Sequence, residues 1–203
     1  MPLAAAALPP RVSLPFDLLL LVHWQESLHK CTGIHASVLC EPAEVAVAHW
    51  EKHEEFGDTW GPLIASLQPD RDVVLFPGPD SFPADQFAWT GSIGSCKRRL
   101  VVLEASWAHG KTMYNFLVRY RQSLGLAPIP CVSLQVCGYL FHSFLSRQSN
   151  SPIRNTKNHH QGVVGKYWRF HEEGNSAVST IEAIAHSAQA AGEKFSEVFP
   201  LFF

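Results

Sequence analysis

The stretch FDLLLLVH, residues 16–23, decides the fold. Apolar residues run without a break from Leu18 to Val22, between Asp17 and His23. A strand with one wet face alternates apolar and polar residues. An unbroken run means that both faces are covered, as in a parallel sheet. The run is also far shorter than the roughly 18 apolar residues that a membrane span needs. Working outward, the same signal returns in DVVLF at 72–76, stopped by Pro77-Gly78-Pro79. It returns again in RLVVLEA at 99–105 and in CVSLQV at 131–136. Residues 36–47 alternate weakly and are read as a further strand, and VVGKYWRF at 163–170 is β-prone through its branched and aromatic residues.

Helices fall between these runs. Residues 107–124 space Trp107, Met113, Tyr114, Phe116, Leu117, Tyr120 and Leu124 as an amphipathic helix does. Residues 48–70 carry charge and mixed helix signals. Ser179-Thr180-Ile181-Glu182 is a capping box that opens a last helix, with Ser179 as N-cap and Glu182 at N3. Buried strands alternating with helices predict an α/β fold, a mostly parallel sheet with flanking helices. Residues 1–14 read as a flexible arm and 15–203 as a single domain. Within it, the polar, helix-poor segment 143–162 reads as a flexible loop.

Composition narrows the class. At 203 residues and 46% hydrophobic, with six Trp and thirteen Phe, the chain can build one sizeable core. Its formal charge of -2, with eleven His neutral, is not that of a non-specific nucleic-acid binder. Any RNA contact must come from local basic patches. The cysteines, Cys31, Cys40, Cys96, Cys131 and Cys137, are odd in number and form no CxxC pair. Reduced thiols in an intracellular protein, nuclear or cytoplasmic, are expected, with neither a disulfide framework nor a metal site. The Ala-rich start has no basic n-region, so no signal peptide is expected, and no membrane partner either.

Four blocks carry candidate chemistry. The first, HWQESLHKCTG at 23–33, follows the first strand and puts His23, Glu26, Lys30, Thr32 and Gly33 where α/β proteins bind ligands. Read alone, Glu26 and Lys30 are more simply an i,i+4 surface pair in an ordinary loop. The second is LFPGPD at 75–80, where Pro77 and Gly78 let backbone approach a ligand. Read alone, it is more simply a plain strand-to-helix turn. The third is LEASWAHGK at 103–111. It sets Glu104, Ser106 and Trp107 where a strand gives way to a helix. A carboxylate there can accept a proton and an indole can stack on a base, but Ser106 also suits a cap and Trp107 a core position. The fourth runs from KYWRFH at 166–171 to the cap at 179–182. Arg169 can clamp an anion and the helix N-terminus can attract one, but read alone the block is more simply a satisfied cap and a solvated charge.

In chain order these blocks resemble the DTW-domain family of tRNA-uridine aminocarboxypropyltransferases, and its eukaryotic branch most. The matching segments are PPRVSLPFDLLLLVHWQESLHKCTGIHASVL, VVLFPGPDS, LVVLEASWAHGKTMY and YWRFHEEGNSAVSTIEAIA. The resemblance implies a SPOUT-like fold with a possible C-terminal knot. It implies S-adenosylmethionine as aminocarboxypropyl donor, N3 of a uridine in tRNA as acceptor, and methylthioadenosine as leaving group. Glu104, Ser106 and Trp107 align with the family's D-x-[ST]-W motif and become catalytic residues. Pro77, Gly78, Ser179, Thr180 and Glu182 become the donor site. His23, Glu26, Lys30, Thr32, Gly33 and Arg169 face substrate. The resemblance leaves two other activities open: a tRNA-binding relative without catalysis, and a SPOUT-type RNA methyltransferase. Glu104 stands where the family has Asp, which lengthens the carboxylate arm by a methylene. The end, FSEVFPLFF, stops where relatives continue into another helix, so a shortened form is expected. The literal tripeptide Asp58-Thr59-Trp60 has no strand before it and is read as coincidence.

Overall fold

The stretch that decides the fold forms strand β1 (Asp17–Val22), and both of its edges are paired. On one side lies β2 (Val45–His49), on the other β5 (Arg99–Glu104). Next come β3 (Asp72–Leu75), β6 (Cys131–Ser133) and β4 (Phe82–Pro83). The computed structural model describes residues 11–27, 30–49, 60–78, 80–89, 97–134 and 179–192. Among them the sheet has six strands, all parallel, in the order β2-β1-β5-β3-β6-β4.

Both faces of β1 are covered, as the unbroken apolar run requires. Leu18 and Leu20 enter one core, with Phe16, Leu100, Val102 and Val73. Leu19 and Leu21 enter the other, with Val101, Val74, Met113 and Leu117. Helix α1 (Ala36–Leu39) and helix α4 (Thr180–Ala190) supply Ala36, Leu39, Ile181, Ile184 and Ala188 to the first core. Helix α2 (Trp60–Ser66) and helix α3 (Trp107–Ser123) supply Trp60, Ile64, Met113 and Leu117 to the second. Trp60, the last residue of Asp58-Thr59-Trp60, is therefore core.

Three details depart from the sequence reading. Residues 36–47 are not one strand. Ala36 and Leu39, spaced i,i+3, bury one side of α1, Pro42 opens a 3-10 turn (Pro42–Glu44), and only then does β2 begin. The stretch read as an arm ends docked: Val12 bridges Cys40, Leu14 is buried, and the Leu14 N–H donates to Glu44 Oε2 at 2.7 Å. Strand β4 was not expected, because Pro83 and its shortness hide it. The segment 143–162, the β-prone run 163–170 and Arg169 lie outside the described residues.

At the amino ends of the strands, charge closes the sheet. Asp72, fully buried, accepts from Arg99 Nε at 2.6 Å and Nη2 at 3.0 Å, and its Oδ2 also accepts the Gln68 N–H at 2.6 Å. The carboxyl ends are left to the candidate blocks.

Candidate functional site

The chain leaves β1 toward β2, at one edge of the sheet, and leaves β5 through α3 toward β6, in the opposite direction. Right-handed crossovers running in opposite directions must lie on opposite faces. The helices obey this, with α1 on one core and α3 on the other. The carboxyl ends of β1 and β5 therefore flank the switch point of the sheet, the place where open α/β sheets bind ligands. His23 and Glu104 occupy those two ends. The His23 N–H donates to the Glu104 carbonyl at 3.0 Å and carries the ladder one step past Val22.

Glu104 is the centre of the site. It is only 6% exposed, yet it is a carboxylate. Its Oε2 accepts the Gly33 N–H at 3.0 Å. Burial pushes its carboxyl up to about 7. Hydrogen bonds from the Thr180 hydroxyl and from the Gly33 and Thr32 amides pull against that rise, and the Glu26 charge adds to it. A Cβ at Gly33 would collide with Glu104 Oε2 and lie 2.9 Å from Thr180 Cγ2, so only glycine permits this approach. Cys31, beside it, is buried, and burial, then the Glu104 and Glu26 charges, push its thiol up to about 11. Burial and a raised pKa both disfavour a nucleophilic thiolate at this position.

A second group of side chains sits at the mouth. Ser106 caps α3, its Oγ accepting the His109 N–H at 3.4 Å and lying 3.0 Å from His109 Nδ1. Glu26 Oε1 accepts the Ser106 N–H at 2.6 Å and lies 4.0 Å from His109 Nδ1. The His109 ring stacks on His23, with centroids 4.1 Å apart and planes 11° from parallel. Burial, and after it the neighbouring His109, lower the His23 imidazole against a pull upward from Glu26. Trp107 is half exposed, not core, and Trp24, stacked on His23 at 5.8 Å, is 40% exposed.

The remaining described candidates lie on the loop after β1, at the start of α4 and after β3. Thr32 Oγ1 accepts the Ile181 N–H at 3.4 Å, which seats the first turn of α4 on the 3-10 turn Gly33–His35. Ser179 and Glu182 complete the capping box with each other: Glu182 Oε2 accepts the Ser179 N–H at 2.8 Å. Thr180 is the residue of that cap that turns to Glu104. Pro77 and Gly78 stand at the same sheet edge, on the far side of β5. There a Cβ on Gly78 would meet the Tyr114 hydroxyl at 3.3 Å, and Ser81 Oγ donates to the Gly78 carbonyl at 2.8 Å. Lys30 is exposed in the loop after β1. His109 and Trp24 escaped the sequence reading. The signal for His109 was its place three residues after the cap Ser106, and for Trp24 its place directly after His23.

Among the described residues no group of three or more His, Cys, Asp or Glu is arranged to hold a metal ion, and no helix is long and apolar enough to cross a membrane. Fold and site thus define an α/β protein with a buried carboxyl group at its switch point. No family model, curated protein or solved structure matches the chain.

Proposed function

We propose that the protein transfers the 3-amino-3-carboxypropyl group of S-adenosylmethionine to N3 of a uridine in tRNA, as the family it resembles does. One observation carries this reading. Blocks far apart in sequence converge on one carboxyl group, with Gly33 from the first, Glu104 from the third and Thr180 from the last. Unrelated surface loops have no reason to meet in this way. The finer fold, SPOUT-like with a C-terminal knot, belongs to the same proposal.

The groups at the mouth fit the donor. A sulfonium cation is attracted by carboxylates and by exposed indoles, and Glu104 with Trp24 and Trp107 provides both. When bound, S-adenosylmethionine supplies an activated carbon and a neutral leaving group, methylthioadenosine. Glu104 accepts the N3 proton as the new N–C bond forms, a task suited to a group poised near neutrality. Trp107 stacks on the base, and Gly33 and Thr180 hold the carboxylate that receives the proton. Lys30 and Arg169 meet phosphate. Pro77, Gly78 and the α4 start, Ser179 to Glu182, form the donor side.

The test is nucleoside mass spectrometry of tRNA incubated with the protein and S-adenosylmethionine. Aminocarboxypropyluridine together with methylthioadenosine is the expected result. Release of S-adenosylhomocysteine instead means methyl transfer. A protein that binds tRNA in a salt-dependent way and yields neither product is the non-catalytic relative, a reading that Glu104 in place of Asp favours.

A further inference from the structure

The sequence reading turns Glu26 toward substrate, but in the structure its carboxylate is bound to the protein. Glu26 Oε1 accepts the N–H of Ser106, a residue 80 positions away, at 2.6 Å. Ser106 is the N-cap of α3 and stands two residues after Glu104. The N–H of an N-cap residue is used by neither strand nor helix, so Glu26 supplies the partner that the turn lacks. His109 braces the same point, with Nδ1 3.0 Å from Ser106 Oγ and 4.0 Å from Glu26 Oε1, and its ring lies flat on His23. These contacts cross the switch point. The loops after β1 and β5 diverge there to opposite faces, so beyond His23 no sheet pairing holds them together. Yet the first loop carries Gly33 and the second strand carries Glu104, and their 3.0 Å bond needs both in register.

We propose that Glu26 is a positioning residue for Glu104: by clasping the Ser106 amide, with the His109–His23 pair as brace, it fixes the end of β5 against the loop that carries Gly33. The proposal rests on the reaction above only for its kinetic readout.

Glu26→Ala and Glu26→Gln in the full chain test it, with amide exchange followed at Ser106 and at Gly33. Gly33 reports on Glu104 itself, through Glu104 Oε2. Glu26→Ala speeds exchange at both amides about tenfold or more, the size of one lost hydrogen bond. It also lowers kcat about 100-fold, the cost of misplacing a reacting group by about 1 Å, with KM for tRNA within about threefold of the original. Glu26→Gln keeps an oxygen that accepts the same N–H, so it restores slow exchange at both amides and most of kcat. Two results overturn the proposal. In one, Gly33 exchange stays slow in Glu26→Ala, which leaves Glu26 as a cap partner alone. In the other, Glu26→Gln is as impaired as Glu26→Ala although both amides stay protected, which assigns the effect to charge. If the unaltered protein makes no aminocarboxypropyluridine, the reaction reading fails. The Gly33 exchange then still decides the role of Glu26.

Discussion

At Glu104, burial and hydrogen bonding act in opposite directions, and burial wins. The carboxyl rises from an ordinary 4.5 to about 7 although Thr180, Gly33 and Thr32 all favour its charged form. Between these two values the unfolded chain has released the proton while the folded chain still holds it. Stability therefore falls as pH rises through this window, by about 3 kcal/mol at full effect, and levels off above it. Thermal unfolding from pH 4 to 8 should show this slope in the native chain and lose it in Glu104→Gln. If both chains give the same slope, another group is responsible. On the proposed reaction the same substitution removes the proton acceptor and should lower kcat by about 10²- to 10⁴-fold, whereas Glu104→Asp gives the carboxylate of the family that the sequence resembles and should retain activity. Gly33→Ala drives a methyl into Glu104 Oε2. It should cost about 1–3 kcal/mol as an overpacked site, read by denaturant midpoint at constant slope. Much of this centre was legible in the sequence, since Glu104 sits at the end of a buried run and before a cap. Its donors were not legible as donors. Gly33 and Thr180 were assigned to different sites because no spacing rule links positions this far apart.

Elements announce themselves when one local rule is enough. β1, β3 and β5 do so by unbroken apolar runs between polar stops, and α4 by its capping box. Residues 36–47 misled because Ala36 and Leu39 pack as a helical pair, while their neighbours mimic alternation. α3 shows the limit of an amphipathic reading: Met113 and Leu117 are buried, but Trp107 and Leu124 at its ends are about half exposed. Trp107 is freed from the core because it opens the helix at the mouth of the site. The start of α4 has a structural task besides the donor role proposed for it. Ser179 and Glu182 satisfy each other, and Thr32 takes the Ile181 N–H, so the first turn is seated without any ligand. Ser179→Ala should therefore cost about 1 kcal/mol of stability, seen as a lowered midpoint of chemical denaturation. Donor affinity should change through Thr180→Ala rather than through Ser179→Ala, because Thr180 is the residue of the cap that reaches Glu104. Equal losses of affinity in the two variants, measured by calorimetry, would show that the cap as a unit holds the donor.

For the whole molecule, the switch point joins parts that the sheet alone leaves separate. β1 and β5 are paired, and the loops beyond them and α4 on one face are joined at the site by polar contacts of Glu104, Glu26 and Thr32 and by the His23–His109 stack. A ligand seated there touches all three parts and binds only when they are assembled. Its binding energy then appears as stability of the entire fold rather than of one loop. S-adenosylmethionine at 100 times its Kd should stabilise the protein by about 2.7 kcal/mol. For a chain of this size that is a rise in Tm of about 5–10 °C. Methylthioadenosine, which lacks the sulfonium and the amino acid, should give a smaller rise, because Glu104 and the indoles at the mouth then have no cation to face. Glu104→Gln should reduce the response to S-adenosylmethionine more than the response to methylthioadenosine, since only the former presents a positive charge. A Tm unmoved by either compound would take the donor away from this crevice. Equal shifts for both, unchanged in Glu104→Gln, would leave an adenosine site there with no part for the carboxylate in holding the donor.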